Sequence, residues 1–221
     1  QMCIRDSDKP EGKEMNERFL VRIDFQNDFA APEGALTINN PDLIARHQRF
    51  ADSLQKGMFS EIWDFRDTHF AETYPQTKEA ESFPLHTEFG SWGWQPAAIL
   101  KDNIPVRTFF KSTTNLWNEV NQYALLQQDL RDKKVYLCGL LSDICVQQGM
   151  DGFLRRGAKV TVLEDLCQGA VRQIPEIISE PKYGRLLEEG RLRHITGAQF
   201  FRSILLEKKL NYNLVNSSRG K

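Results

Sequence analysis

The segment that most constrains this fold is a short apolar run that turns abruptly into a helix. Residues 135–138 read VYLC and end at Gly139, which is typical of a strand buried on both faces of a sheet. Apolar residues then recur at helical spacing at Val146, Met150, Phe153 and Leu154. Gly157 predicts the end of that helix. Cys145 is therefore expected at the turn between a central strand and the helix that follows it.

Cys145 has two interpretations at this position. The unpaired N–H groups at a helix N-terminus can stabilise a thiolate, lowering a cysteine pKa from about 8.5 toward roughly 3.5–7.5, and they can also hold an oxyanion. The alternative is a small buried hydrophobic side chain, which is the commoner role of a free cysteine.

The strand-then-helix pattern recurs along the whole chain. Further strands are predicted at residues 19–24, 61–65, 106–110, 159–163 and 192–195, and helical patterns begin at Pro41 and cover 116–130, 174–189 and 200–206. Six strands alternating with helices predict an α/β fold, a three-layer αβα sandwich around a mostly parallel, doubly wound six-stranded sheet. No glycine-rich phosphate loop follows the first strand, so the sequence does not support nucleotide binding.

Length and composition favour a single domain over residues 18–221. The chain has 221 residues, of which 40% are hydrophobic, which suits a single α/β core. The first seven residues, QMCIRDS, resemble the translation of a sequencing adapter, as in a metagenomic gene model. We expect residues 1–17, which are polar and charged after that stretch, to form a disordered lead-in.

The charge pattern argues against large polyanionic or lipid partners. A net charge of −1 with interspersed signs offers no basic face for nucleic acid. No apolar run approaches the roughly 18–20 residues of a membrane span. Four cysteines without paired spacing favour a reducing, cytoplasmic setting. No nucleic acid or membrane partner is therefore expected.

Three polar residues are predicted to meet at one edge of the sheet. Asp24 closes the first strand, Lys111 closes the third, and Cys145 follows the central strand. Carboxyl ends of parallel strands share one edge, where open α/β sheets bind their ligands. Taken singly, Asp24 is equally well a turn or cap residue, and Lys111 an ordinary solvated lysine.

A second constellation follows the second strand. Asp67 and His69 point the same way in an extended segment and so offer one oxygen and one nitrogen to a metal, and His86 is a third candidate ligand. Surface hydrogen bonding is the alternative explanation of a lone D-x-H. The tryptophans at 92 and 94 either wall a pocket or pack as a loop onto the core, and His47 is expected to pack on the apolar side of its helix.

In combination these motifs resemble the nicotinamidase/isochorismatase-like cysteine hydrolases over residues 19–201. The resemblance rests on D-x-Q-N-D-F after strand one, D-x-H after strand two, x-P-x-H, a lysine closing the next strand, and G-x-x-[ST]-D-x-C-V. It implies that Cys145 is the nucleophile, Asp24 the general base and Lys111 the charged partner of the thiolate and the oxyanion.

The resemblance also implies the surroundings of this triad. A cis peptide bond would precede Leu141, and the backbone N–H groups of Leu141 and Cys145 would form an oxyanion hole. Phe29 and Phe83 are candidates to sandwich a flat aromatic ring. The implied metal ligands are Asp67, His69 and His86, a set that suits zinc, and also manganese or iron.

The implied reaction is hydrolysis of the carboxamide of nicotinamide, or a close analogue, to the acid and ammonia through a cysteine thioester, in NAD salvage. A homo-oligomer is expected, because relatives commonly form dimers or tetramers. The chain departs from the family pattern at Thr68, Phe83, Thr87 and the bulky pair Leu140–Leu141.

Other readings of the same chain are a metal-free member acting on a carbamoyl, ureido or other small amide, a vinyl-ether hydrolase, and a non-catalytic binding protein. The three candidate ligands argue against the first, and the thiol is not needed by the second. The complete triad argues against the third.

Overall fold

A single six-stranded sheet organises the chain, which the computed structural model describes at residues 17–118 and 129–219. All strands are parallel, in the order β3-β2-β1-β4-β5-β6. The strands are β1 Arg18–Ile23, β2 Glu61–Asp67, β3 Val106–Lys111, β4 Lys134–Leu140, β5 Lys159–Gln168 and β6 Leu192–Ile195. The predicted α/β class and the parallel, doubly wound sheet are confirmed.

Helices connect these strands. They are α1 Asn27–Ala30, α2 Pro41–Ser53, α3 Gln147–Arg155, α4 Ile174–Ile178, α5 Gly184–Glu188 and α6 Gly197–Arg219. Short 3₁₀ turns cover Tyr74–Gln76, Glu79–Glu81, Leu116–Asn118 and Pro181–Tyr183, and a π-helical turn covers Ser142–Val146. Within the described ranges, no helix has both the length and the apolar character needed to cross a bilayer.

The sheet is covered by helices on both faces. Val21 pairs with Trp63 and Leu20 with Tyr136, and neighbours along a strand point to opposite faces, so Trp63 and Tyr136 lie on opposite sides. The Trp63 ring stacks on Phe153 of α3 at 6.2 Å. The Tyr136 ring meets Phe200 of α6 at 5.0 Å. The αβα layering follows from these two contacts.

Element boundaries differ from the predicted ones at several points. Strand β2 runs two residues beyond Phe65, and β5 continues to Gln168 rather than ending at Leu163, since parallel pairing extends a strand beyond its most apolar stretch. The last helix begins at Gly197 and runs past Leu206. Of the helix predicted over 116–130, residues 119–128 lie outside the described part, Leu116 begins a 3₁₀ turn, and Leu130 is not helical.

Gly139 in β4 lies where the backbones of β4 and β1 approach each other closely. Its φ of +127° is open only to glycine, and a Cβ there would lie 1.9 Å from the carbonyl oxygen of Ile23 in β1. The close approach of β4 to β1 at their carboxyl ends therefore depends on a residue without a side chain.

A buried ion pair joins β1 to β2. Arg22 Nε donates to Asp64 Oδ1 at 2.7 Å, and both side chains are almost fully buried. Burial opposes ionisation of Asp64, but the charges of Arg22 and Arg66 hold its pKa below the usual range. Arg22 also donates to the carbonyl oxygen of Ala98 at 2.7 Å.

Replacing Asp64 by alanine is expected to lower the free energy of unfolding by about 3–5 kcal/mol, because the Arg22 guanidinium stays buried without its counter-charge. Urea denaturation followed by circular dichroism measures this. The exposed pair Lys101–Asp52 supplies the control, since Asp52→Ala should cost less than about 1 kcal/mol. Equal losses in the two variants would contradict a structural role for the buried pair.

Candidate active site

The candidate site lies at the carboxyl edge of the sheet, beyond the ends of β1 and β4. After Ile23 the chain enters Asp24 with φ +51°, a left-handed conformation that aspartate tolerates better than most residues. Its N–H donates to the carbonyl oxygen of Phe65 at 2.9 Å. The Asp24 carboxylate is thereby fixed and buried above the sheet.

Lys111 lies at the centre of the site. Lys111 is the last residue of β3 and pairs in register with Asp67 of β2. Its Nζ lies 2.7 Å from Asp24 Oδ2, 3.1 Å from Asp67 Oδ1 and 3.9 Å from Cys145 Sγ, and it also donates to the carbonyl oxygen of Thr113 at 3.0 Å. The structure thus brings the three residues at the strand ends together around one buried ammonium group.

The pKa values of the two carboxylates around Lys111 are shifted in opposite directions. Burial raises the pKa of Asp24 to about 6, and the charge of Lys111 offsets that effect only in part. For Asp67 burial is outweighed by Lys111 and the adjacent histidines, so its pKa lies well below the usual range. Burial opposes the charge on Lys111, but the two carboxylates hold its pKa well above the ordinary value.

Cys145 lies within the π-helical turn Ser142–Val146, two residues before α3 begins at Gln147. The sequence-based expectation of a depressed pKa is wrong for this environment: burial raises the pKa of the Cys145 thiol, Lys111 offsets this in part, and the nearby Asp24 raises it further. A raised pKa favours the neutral form of the Cys145 thiol. It needs a base to become nucleophilic, and Asp24 is adjacent.

The other described cysteines behave as buried hydrophobic side chains. Cys138 and Cys167 are free and buried in neighbouring strands. Burial raises the pKa of Cys138 to about 12 and that of Cys167 well above its usual value. Neither lines the cavity described below.

Asp67, His69 and His86 form a buried cluster that fits a metal ion. One potential ligand atom from each lies within 4.8 Å of the others. Asp67 Oδ2 is 3.0 Å from His69 Nε2 and 3.2 Å from His86 Nε2. Despite that proximity, His69 Nε2 has no hydrogen bond of acceptable geometry among the described residues, which is costly for a buried nitrogen unless a cation completes the site.

Hydrogen bonding to the backbone orients His86 for the same purpose. Its Nδ1 lies 2.9 Å from the carbonyl oxygen of Pro84. Because that oxygen can only accept, Nδ1 carries a proton and Nε2 is the ring nitrogen that faces Asp67. Tyr74 reinforces the turn, its hydroxyl lying 3.1 Å and 3.0 Å from the carbonyl oxygens of Phe83 and Pro84.

Glu79 is a member of the site that sequence reasoning missed. It lies in the polar segment 71–81, which reads as a surface excursion, and no pattern distinguishes it from its acidic neighbours. Its carboxylate oxygens lie 3.6 Å from His69 Nε2 and 3.7 Å from His86 Nε2. Burial and the charge of Asp67 raise the pKa of Glu79.

A cavity of about 480 Å³ opens beside Cys145 and His86. Phe29 and Phe83 both line it, with the Phe29 ring edge-on to His86 at 5.5 Å. The remaining lining includes the apolar side chains Leu36, Ile38, Leu140, Leu141 and Ile144. Among the described residues that line it, none is lysine or arginine.

The peptide bond between Leu140 and Leu141 is cis. The Leu141 carbonyl oxygen accepts from the N–H groups of Ile144 and Val146, each at 3.1 Å, which closes the turn that carries Cys145. The tryptophan loop lies elsewhere: Trp94 packs on Phe89 and Phe110, and neither tryptophan lines the cavity.

Asp143 joins the turn that carries Cys145 to the neighbouring segment 170–172. Its carboxylate accepts from the backbone N–H groups of Ala170, Val171 and Arg172 at 3.0, 2.8 and 3.0 Å. Burial opposes its ionisation, but these three bonds lower the pKa of Asp143 overall. Gly169 and Ala170 line the cavity together with Ile144 and Cys145, so this carboxylate ties two segments of the cavity lining to each other.

The chain belongs to the isochorismatase family of hydrolases, because the family model described as the isochorismatase domain matches residues 18–173. A curated nicotinamidase from Saccharomyces cerevisiae is 23% identical, over 74% of this chain and 93% of its own.

Solved structures share the fold at similar distance. The L. infantum protein PnC1, in complex with nicotinate, is 22% identical with a TM-score of 0.60, covering 83% of this chain and 94% of its own. The pyrazinamidase of Pyrococcus horikoshii, in complex with zinc, is 23% identical with a TM-score of 0.58, covering 81% of this chain and 99% of its own. At these identities the likeness concerns the fold.

Substituting Asp143 by asparagine is expected to loosen the wall at residues 169–172, because the amide offers one acceptor oxygen and turns its NH₂ toward N–H donors. Hydrogen bonds to a charged group contribute about 1.5–3 kcal/mol each, so amide exchange in this segment should accelerate at least tenfold. Hydrogen exchange with mass spectrometry measures it. Exchange in β1 serves as the internal control, and an unchanged rate at 169–172 would refute the bracing role.

Proposed function

We propose that this protein is a metal-dependent cysteine amidase that hydrolyses nicotinamide, or a closely similar flat aromatic amide, to the acid and ammonia. The observation that carries the proposal is that the buried ammonium of Lys111 lies close to the Asp24 and Asp67 carboxylates and to the Cys145 thiol. Cys145 in turn lines a cavity that Phe29 and Phe83 also line. Family membership supports the hydrolytic class, and the named relatives support the amide.

Acylation follows from the geometry around Lys111. Asp24, whose pKa is raised toward neutrality, accepts the proton of the Cys145 thiol, and the resulting thiolate attacks the carbonyl carbon of the amide. The ammonium of Lys111, 3.9 Å from Sγ, stabilises the thiolate. Backbone N–H groups of Leu141 and Cys145 are the candidate donors to the developing oxyanion. Asp24 then returns its proton to the nitrogen, and ammonia leaves.

Deacylation uses the same groups in reverse roles. Asp24 is again ionised after ammonia departs, so it can accept a proton from a water molecule that attacks the thioester carbonyl carbon. Collapse of the second tetrahedral intermediate breaks the C–S bond and releases the carboxylic acid. The thiolate recovers the proton from Asp24, which restores the neutral thiol.

Asp67, His69 and His86 would hold the metal ion, with zinc the proposed occupant and manganese or iron the alternatives. When bound, such an ion orients and polarises a ring nitrogen of the substrate as a Lewis acid. The carboxylate of Glu79 lies close enough to both histidines to approach the same ion.

The cavity favours a neutral, flat substrate over a carboxylate-bearing carbamoyl compound. Phe29 and Phe83 offer aromatic surface to a ring, and the described lining contains no lysine or arginine that could pair with a substrate carboxylate. This observation ranks nicotinamide above those carbamoyl and ureido substrates that carry a carboxylate. Such an activity would serve NAD salvage.

Purified protein loaded with zinc is expected to release ammonia from nicotinamide, and Cys145→Ala is expected to reduce release to background, because no other thiol lines the described cavity. Glutamate-dehydrogenase-coupled detection of ammonia measures both. Cys138→Ala is the matched control: it removes a thiol that is buried outside the cavity and should keep the rate within about threefold of wild type if folding is unchanged.

Removal of the metal tests the other half of the assignment. Dialysis against a chelator should abolish nicotinamide hydrolysis, and zinc should restore it. Thiol-dependent hydrolysis that survives in the metal-free protein, or that appears only with carbamoyl substrates, would overturn the nicotinamidase assignment in favour of the metal-free alternative.

The acid side of the pH profile reports on Asp24. As the base, Asp24 must be ionised, and its pKa is raised to about 6, so the competent fraction falls as the pH drops through that value. We expect log kcat/KM for ammonia release to decline with unit slope below about pH 6. An acid limb near pH 4, the ordinary aspartate range, would contradict this role of burial.

A further inference from the structure

We propose that Thr87 is a positioning residue for the metal site, its hydroxyl fixing which oxygen of Asp67 faces the histidines. Thr87 Oγ1 donates to Asp67 Oδ2 at 2.9 Å, and its side chain is fully buried. The inference rests on the metal site of the proposed function, and extends it to a residue that contributes no ligand atom there.

The two oxygens of Asp67 have separate partners. Oδ1 receives the ammonium of Lys111 at 3.1 Å, whereas Oδ2 receives the Thr87 hydroxyl and faces the Nε2 atoms of both histidines. A carboxylate anchored at both oxygens cannot turn about its terminal bond without breaking a bond at each. Asp67 is thereby preorganised to bind a metal ion through Oδ2 while Oδ1 stays on Lys111.

The backbone holds Thr87 where this bond requires it. Its φ is +44°, a conformation that β-branched residues rarely adopt. Asp28 Oδ2 accepts from the Thr87 N–H at 2.6 Å, and the Thr87 carbonyl oxygen accepts from the His69 N–H at 3.1 Å. Thr87 is thus tied to a ligand residue through its backbone as well as through its hydroxyl, and such strained positions concentrate at functional sites.

Hydrogen bonds to ligand carboxylates set metal affinity. Loss of an outer partner of this kind typically weakens binding 10- to 100-fold. A merely structural threonine would instead lower stability and leave affinity unchanged. Metal affinity therefore separates the two roles, and it can be read without measuring catalysis.

The test compares Thr87→Val with Thr87→Ser. Valine keeps the shape and removes the hydroxyl, whereas serine keeps the hydroxyl and removes a methyl group. Zinc affinity of each metal-free protein is measured by competition with a chromogenic chelator, and thermal unfolding verifies the fold. We expect Val to bind zinc 10- to 100-fold more weakly than wild type and Ser to bind like wild type.

If Thr87→Val does not fold, Thr87→Ala replaces it, since alanine and serine differ by the hydroxyl alone. Equal zinc affinity in a folded pair with and without the hydroxyl would overturn the inference while leaving the metal site intact. His69→Ala isolates the other failure: if wild type binds zinc no better than this ligand variant, the proposed metal site itself is wrong.

Discussion

A single buried ammonium group, that of Lys111, makes the rest of the site electrostatically possible. Two carboxylates and a thiol are held within its reach, and without the cation the two carboxylates would repel each other in an environment of low dielectric. The negative charges of the two carboxylates are stabilised unequally, and this separates their pKa values. The pKa of Asp67 lies well below its usual range, whereas that of Asp24 is raised to about 6, a value suited to a general base close to neutral pH.

Strand order explains how one lysine comes to serve both sides of the site. Strand β3 is the edge strand, yet its last residue reaches inward because Lys111 is in register with Asp67 at the end of β2. The chain runs from β1 outward to β3, and then returns to β4 on the other side of β1. Asp24 and the turn that carries Cys145 therefore flank the switch point at which open α/β sheets bind ligands.

Sequence patterns were sufficient for the fold and for the strand-end residues, because both follow from local periodicity and from the rule that parallel strands end at one edge. They did not reveal Glu79, since a carboxylate in a polar loop carries no periodic signal and becomes part of the site only through tertiary contact. The pKa of Cys145 is raised, whereas the sequence predicted a lowered one. The helix N-terminus behind that prediction is a local feature, but the burial beside Asp24 that raises the pKa depends on the whole fold. The ends of β2 and β5 were misjudged for a similar reason, because pairing with a neighbour extends a strand past its apolar stretch.

The bracing of the cavity wall by Asp143 has an evolutionary consequence. Its carboxylate grips the main chain of residues 170–172 and none of their side chains. Since every residue except proline supplies an N–H group, substitutions at positions 170–172 can accumulate without breaking the contact to the turn that carries Cys145. Substrate range can thus diversify by substitution at positions such as Ala170, while the reaction geometry is inherited unchanged.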